Sequence, residues 1–419
     1  MINPLALPKE DRRKALLLAS YFFLVIAAFW IQKPLRTSKF VHFIGAKNLP
    51  YAKLGTAFIV LPIMLGYSAL TRRVRREQIA LAACVLFAAG SLVFWRLFSG
   101  PSPDWAHYAF FFYVDVYITV MLAVFWSFAN DITPPDQARR IYGVVGAGGI
   151  LGGAFGSAVP GWLAGRLGPP RLLLICFAVM LLMSGVARVL AGTEKGTGAP
   201  PALEPGGDWK AAWAGAGLTL RTPYLLCIAG MICCYEIVSN FIDYQFSAAA
   251  GAAFTAEGSL TAFLGKLSTA NIALSVLFQL VVTSYVLRRH GPRVGVLVLP
   301  VVLAAGSALF LALPVFPIIL ALFSSDAIVH YSMNQSSKET LYTPTDEATK
   351  YRAKAFIDMF VFRAGKGVSA LLILLFNTVL APAGWPARSL SAAALVFALV
   401  WLALARRAGR RFDELTAPT

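Results

Sequence analysis

Charge is scarce in this sequence, and acid is scarcer than base. Asp, Glu, Lys and Arg make up 14% of 419 residues, with 20 acids against 37 bases. Histidine is rarer still. His42, His107, His290 and His330 have no metal-ligand spacing, and no nucleophile–base pair stands out, which argues against a membrane-embedded enzyme. The five cysteines (Cys84, Cys176, Cys227, Cys233, Cys234) all fall in apolar runs without metal-ligand pairing and read as small packing residues. No cofactor is implied by any of these patterns. Long polar stretches are nearly missing, the longest being 192–210 (GTEKGTGAPPALEPGGDWK).

Apolar residues are what the chain has in excess: 58% of it is hydrophobic, with a mean hydropathy of +0.68, and they come in long runs rather than at amphipathic spacing. A helix needs about 20 apolar residues to cross the hydrocarbon of a bilayer. Twelve such runs lie near 15–35, 51–71, 77–98, 106–130, 141–165, 171–191, 222–247, 267–287, 293–313, 315–337, 353–379 and 389–407. The expected fold class is an all-α polytopic membrane protein. The first run lacks a small-residue cleavage site after it and reads as an anchor rather than a signal peptide.

Orientation follows from lysine and arginine, which cytoplasmic loops retain. Placing both termini in the cytoplasm gathers most of these residues on that side, among them Arg72, Arg73, Arg75 and Arg76, then Arg288, Arg289 and Arg293, then Arg406, Arg407, Arg410 and Arg411. The exception is the first external loop, with Lys33, Arg36, Lys39, Lys47 and Lys53. The net charge of +17 partly restates this bias; scattered over loops, it does not indicate nucleic-acid binding. The expected location is the bacterial inner membrane.

The two halves repeat. Ser68 to Arg73 parallels Ser284 to Arg289, and AAGS at 88–91 parallels AAGS at 304–307, both 216 residues later. Thr133-Pro134-Pro135-Asp136 parallels Thr343-Pro344-Thr345-Asp346 at an offset of 210. Six plus six spans in parallel repeat match the major facilitator architecture, which places substrate near the bilayer midplane. The expected organisation is a first six-helix half at 1–191, a cytoplasmic linker at 192–221 and a second six-helix half at 222–419. Gly148, Gly152 and Gly156 recur every four residues without the preceding strand or Lys-Ser/Thr of a phosphate loop. They predict close helix packing instead.

Ionisable groups inside spans are costly, roughly 2.5–3.5 kcal/mol at a helix centre, and mark aqueous cavities or substrate paths. Here they gather on spans 1, 4, 7, 10 and 11: Arg36 and Lys39 where the first span runs out, Asp115, Glu236 with Asn240 and Asp243, Asp326 to Lys338 and Glu339, and Lys354, Asp358, Arg363 and Lys366. Asn240 and Asp243 share a helix face with Glu236, as Lys354 does with Asp358. Basic groups in excess favour an anionic substrate, gripped bidentately by arginine and as a point charge by lysine. The acids can hold the lysines when the site is empty, which suits exchange. These residues alone leave the anion open, with phosphate-bearing metabolites favoured.

Phe128-Ala129-Asn130-Asp131-Ile132-Thr133, continuing to Asp136-Gln137-Ala138-Arg139-Arg140-Ile141-Tyr142, resembles the FANxIT…EAKRFY segment of the bacterial and plastid ATP/ADP translocase family. Leu35-Arg36-Thr37-Ser38-Lys39 is similar to its LRDTK, Asn240-Phe241-Ile242-Asp243 to its NLVE, and Ser337-Lys338 to Glu347 to its SKYSLFDPTKE. Lys354-Ala355-Phe356-Ile357-Asp358, followed by Gly365-Lys366, resembles its KAAIDV…GK. The resemblance implies that Lys39, Asp115, Asp243 and Lys354 stand where the family has transport-linked charges. Two family glutamates are aspartates here, and the loop between Glu347 and Lys354 is short. The resemblance implies a nucleotide antiporter of ATP/ADP type; the two-half architecture implies alternating access, and a monomer is the expected working unit. The alternatives are a proton-coupled or facilitative carrier of a sugar phosphate or carboxylate and, remotely, a membrane enzyme or scaffold. The candidate substrate-binding residues are Arg36, Lys39, Asp115, Asn240, Asp243, Lys338, Lys354, Asp358, Arg363 and Lys366.

Overall fold

Hydrocarbon offers no hydrogen-bonding partner, so an apolar run must satisfy its backbone internally, as a helix does. A computed structural model of the chain describes residues 8–71, 73–193, 209–345, 353–354 and 356–416. Among the described residues, eleven helical segments are long and apolar enough to cross a membrane. One of them, Glu257–Ala312, is 56 residues long. It turns at Gly291, whose φ of +72° leads into Pro292, and so supplies two passes. Only glycine takes that backbone conformation at little cost.

In chain order the helices are α1 (Lys9–Lys39), α2 (Leu49–Leu70), α3 (Arg76–Phe98), α4 (Asp104–Ile132), α5 (Pro135–Leu167), α6 (Leu172–Thr193) and α7 (Trp209–Arg221). They continue as α8 (Pro223–Ala253), α9 (Glu257–Phe278), α10 (Ser284–Ala312), α11 (Phe316–Val329), α12 (Gln335–Leu341), α13 (Phe362–Leu375) and α14 (Leu390–Thr416). Short π-helical turns follow α1 (Phe40–Ile44), link α9 to α10 (Gln279–Thr283) and α11 to α12 (His330–Asn334), and flank α13 (Ile357–Val361, Phe376–Leu380).

The boundaries depart from hydropathy where polar side chains find partners. Lys39 sits on α1, not in a loop. α9 starts at Glu257, ahead of the expected 267, because its polar first turns are tied down: Thr261 shares a 2.5 Å hydrogen bond with Ser38, and Thr269 a 2.9 Å one with Ser157. The end of the expected linker is helical as α7.

The described residues group into two compact units. The first draws on Met1–Gly45, Gly55–Ala202 and Phe254–Ile272. In it α1 lies on α5 through the glycines. A Cβ added to Gly148 would stand 2.5 Å from the Ala19 carbonyl oxygen, and one on Gly156 would stand 2.7 Å from Ala27 Cα. The four-residue glycine spacing is therefore a packing seam, as expected. Tyr21, Tyr117, Phe125 and Phe128 fill the core beside it, with the Tyr21 and Phe125 rings edge-to-face at 5.3 Å. Gly265 of α9 meets α5 just as closely, its added Cβ falling 2.9 Å from Gly161 Cα.

The second unit draws on Ala46–Leu54, Leu203–Ala253 and Ala273–Thr419. α8 is its hub, packing on α11, α13 and α14, while α10 packs on α11 and α14. Phe246 stacks on Phe323 at 4.1 Å. In both units large apolar side chains also face outward, Phe58 at 78% and Leu280 at 62% exposed, as a lipid-facing surface requires.

Candidate functional site

The last turns of α1 carry the first cluster. Pro34 removes a backbone donor there, and the following residues widen into a π-helical turn. Such turns are frequent at functional sites. The Arg36 guanidinium donates to Asp115 of α4 and lies 4.3 Å from the centre of the Phe111 ring. Thr56 Oγ1 donates to the other Asp115 oxygen at 3.0 Å. Arg36 and Asp115 are 14% and 23% exposed, so the pair is partly open to a ligand. Lys39 is not: its side chain is 4% exposed, 3.1 Å from Glu257 of α9 and 4.2 Å from the centre of the Phe98 ring.

The second cluster is built on α8. Lys53, near the start of α2, donates to Asn240 Oδ1 at 2.9 Å and to Asp243 Oδ2 at 2.6 Å. Asn240 Nδ2 in turn donates to the Glu236 carbonyl at 2.7 Å. The expected shared face of Glu236, Asn240 and Asp243 therefore exists, and Lys53 caps it. Lys366 on α13 lies 4.0 Å from Glu236 Oε2 and 4.3 Å from the centre of the Phe362 ring. Its side chain is 52% exposed, whereas that of Glu236 is only 5% exposed. Gly365 makes this approach possible, since a Cβ there would stand 2.9 Å from Glu236 Cβ.

Lys354 donates to Glu339 Oε2 at 2.5 Å, so its acidic partner comes from α12. Asp358, expected beside it, lies in the Ile357–Val361 π-helical turn, and its side chain is outside the described residues. Arg363 is exposed and Lys338 half-buried. Seven of the ten expected residues thus fall into separate groups: Arg36 and Asp115 together, Lys39 with Glu257, Asn240 and Asp243 with Lys53, Lys354 with Glu339, and Lys366 with Glu236. Of their partners, Lys53, Glu236 and Glu339 were visible in the sequence as charges but not counted as candidate substrate-binding residues, and Glu257 was missed. Lys53 had a visible signal, because it belonged to the basic cluster that broke the positive-inside pattern.

Chemically, these arrangements hold cations against carboxylates in or beside spans. That lowers the cost of carrying them into lipid and leaves charge that an anion can claim.

The fold matches solved transporters along nearly the whole chain. The nucleoside transporter NupG aligns with a TM-score of 0.65 at 14% identity, covering 97% of this chain and 100% of that one. A POT family transporter in complex with 5-aminolevulinic acid aligns with a TM-score of 0.66 at 10% identity, covering 95% and 96%. The described residues thus have the all-helical, multi-span fold of these solved transporters.

Sequence comparison narrows the class. The TLC ATP/ADP transporter family matches residues 214–326 and 321–412. ADP,ATP carrier protein 1 of Chlamydia trachomatis is 25% identical over 352 residues, covering 75% of this chain and 67% of the carrier. The chloroplastic ADP,ATP carrier protein 1 of Arabidopsis thaliana is 25% identical over 356 residues, covering 74% of this chain and 55% of the carrier. The chain is thus similar to the ATP/ADP transporters across its second half and to curated ADP,ATP carriers over about three quarters of its length, in line with the resemblance of its motifs.

Proposed function

We propose that the protein exchanges nucleotides of the ATP/ADP type across the bacterial inner membrane by alternating access, as a monomer with both termini in the cytoplasm. One observation carries the reading: the cations in or beside spans are held by carboxylates, as in Arg36–Asp115, Lys53–Asp243 and Lys366–Glu236. An empty carrier of a polyanion needs its cations neutralised in lipid, and a nucleotide's phosphates take the place of those carboxylates. The residues assigned to substrate are Arg36 and Asp115 in the first unit, and Asn240, Asp243, Lys338, Lys354, Asp358, Arg363 and Lys366 in the second; Lys39, buried against Glu257, is assigned to holding α1 on α9 instead. The ADP,ATP carriers to which the chain is similar support the nucleotide as substrate.

The test is counterflow in proteoliposomes. ADP inside the vesicles should accelerate uptake of labelled ATP well above that into empty vesicles. Equal uptake into both would refute exchange. Uptake of a sugar phosphate or carboxylate that follows a pH gradient and ignores internal nucleotide would support the other carrier class.

A further inference from the structure

Two carboxylates in the second unit are buried beyond what nucleotide binding requires. Asp326 of α11 is 7% exposed. Ser239 Oγ donates to its Oδ2 at 2.5 Å, and its buried Oδ1 has no hydrogen-bond partner. Among the described residues no cation lies within ion-pair distance of it. Glu236, one turn from Ser239 on α8, has among the described residues one cation within ion-pair distance, Lys366 at 4.0 Å, a stretched pair whose lysine is 52% exposed.

A buried carboxylate without a countercharge is so costly that it takes a proton instead. We propose that Glu236 and Asp326 form a proton-binding pair whose occupancy is set by Lys366. While Lys366 faces Glu236, the pair holds one proton, on the unpaired Asp326. When an anion draws the Lys366 ammonium away, Glu236 loses its cation and its carboxylate takes a proton released by the surrounding buffer to become the neutral acid. Substrate binding and proton uptake are then one event. The inference rests on the reading that Lys366 meets the anionic substrate.

The groups facing the pair are consistent with a local exchange of charge. From α8 come Tyr235 and Asp243, from the π-helical turn after α11 come His330 and Tyr331, and Lys338 of α12 and Lys53 act on Glu236 from further off. His330 is stacked on Tyr235 with ring centres 4.3 Å apart and shares a 3.4 Å contact with Asn334. α10 meets α11 through Gly306 against Leu322 and keeps its own ionisable residues, Arg288 to Arg293, in its first turns. Among the described residues Lys366 is therefore the cation within ion-pair distance of the pair, and it is the exposed partner.

Two measurements test this. Calorimetry of ADP binding in buffers of different ionisation enthalpy should show uptake of about one proton per nucleotide, because a linked titration binds protons with ligand. Glu236→Gln should bind ADP with no proton uptake. ADP bound by the unaltered protein without proton uptake overturns the inference and leaves exchange standing; no ADP binding at all overturns the nucleotide reading instead. The second measurement needs no ligand. Infrared spectra at neutral pH should show the carbonyl stretch of one buried protonated carboxyl, absent in Asp326→Asn. Lys366→Met should add a second such band, absent in Lys366→Met/Glu236→Gln. A Lys366→Met spectrum without the second band refutes the proposal, whatever the substrate.

Discussion

Gly148→Ala adds a single methyl group, and the seam between α1 and α5 says where it must go. The new Cβ would stand 2.5 Å from the Ala19 carbonyl oxygen and 3.0 Å from both the carbonyl carbon and Cα of Ala19. All three are backbone atoms, so no side chain can rotate aside. Contact distances near 3.5 Å force the two helices apart by about 1 Å, and each neighbouring contact weakens with them. Overpacking of this kind costs about 1–3 kcal/mol. Gly146, on the same helix, would meet nothing within 4 Å. There alanine should stabilise by up to ~1 kcal/mol through helix propensity. Unfolding of both variants in one detergent, followed by tryptophan fluorescence against a denaturant titration, should separate them by about 1–4 kcal/mol. If Gly148→Ala unfolds with or after Gly146→Ala, the backbone contact between α1 and α5 is not what holds the first unit together.

Lys39→Met removes one partner of a buried pair and leaves Glu257 (14% exposed) without its cation. The expected loss is ~3–5 kcal/mol, with most of it recovered in Lys39→Met/Glu257→Leu, read by the same unfolding assay. Lys53→Met and Asp243→Asn act differently, since that pair is 24% and 41% exposed. Each should change stability by less than ~1 kcal/mol while lowering nucleotide counterflow, and the exchanged pair Lys53→Asp/Asp243→Lys should restore part of it. Full counterflow in both single variants would remove this pair from the transport path. Gly291→Ala forces a side chain into the left-handed backbone region at φ +72° and should cost about 1–2 kcal/mol, visible as a lower unfolding midpoint.

Much of this was legible beforehand, for definable reasons. Twelve apolar runs, a repeat offset and four-residue glycine spacing are periodic signals, and hydrocarbon turns each into helices and seams with few alternatives. Helix ends were less legible. The start of α9 is polar, and only its partners on α1 and α5 explain why it is helical. The candidate site was read as charges within spans, so their identity was visible but their pairing was not. Lys39 reads like Lys366 in sequence, yet one is buried against Glu257 and the other is exposed beside Glu236. Pairing depends on which helices meet, and that is written in contacts far apart along the chain.

The membership of the two units also sets a timetable for biogenesis. The segment Phe254–Ile272 belongs to the first unit although α7 and α8 precede it in the chain. Membrane insertion proceeds from the N-terminus, so the first unit has to wait with the α5 surface around Ser157 and Gly161 uncovered until α9 emerges. Ala46–Leu54 is in the opposite position, made early and joined to a unit that does not yet exist. A ribosome stalled between α6 and α7 would therefore leave an unfinished bundle in the membrane, one segment short and one segment over, rather than a folded half-carrier.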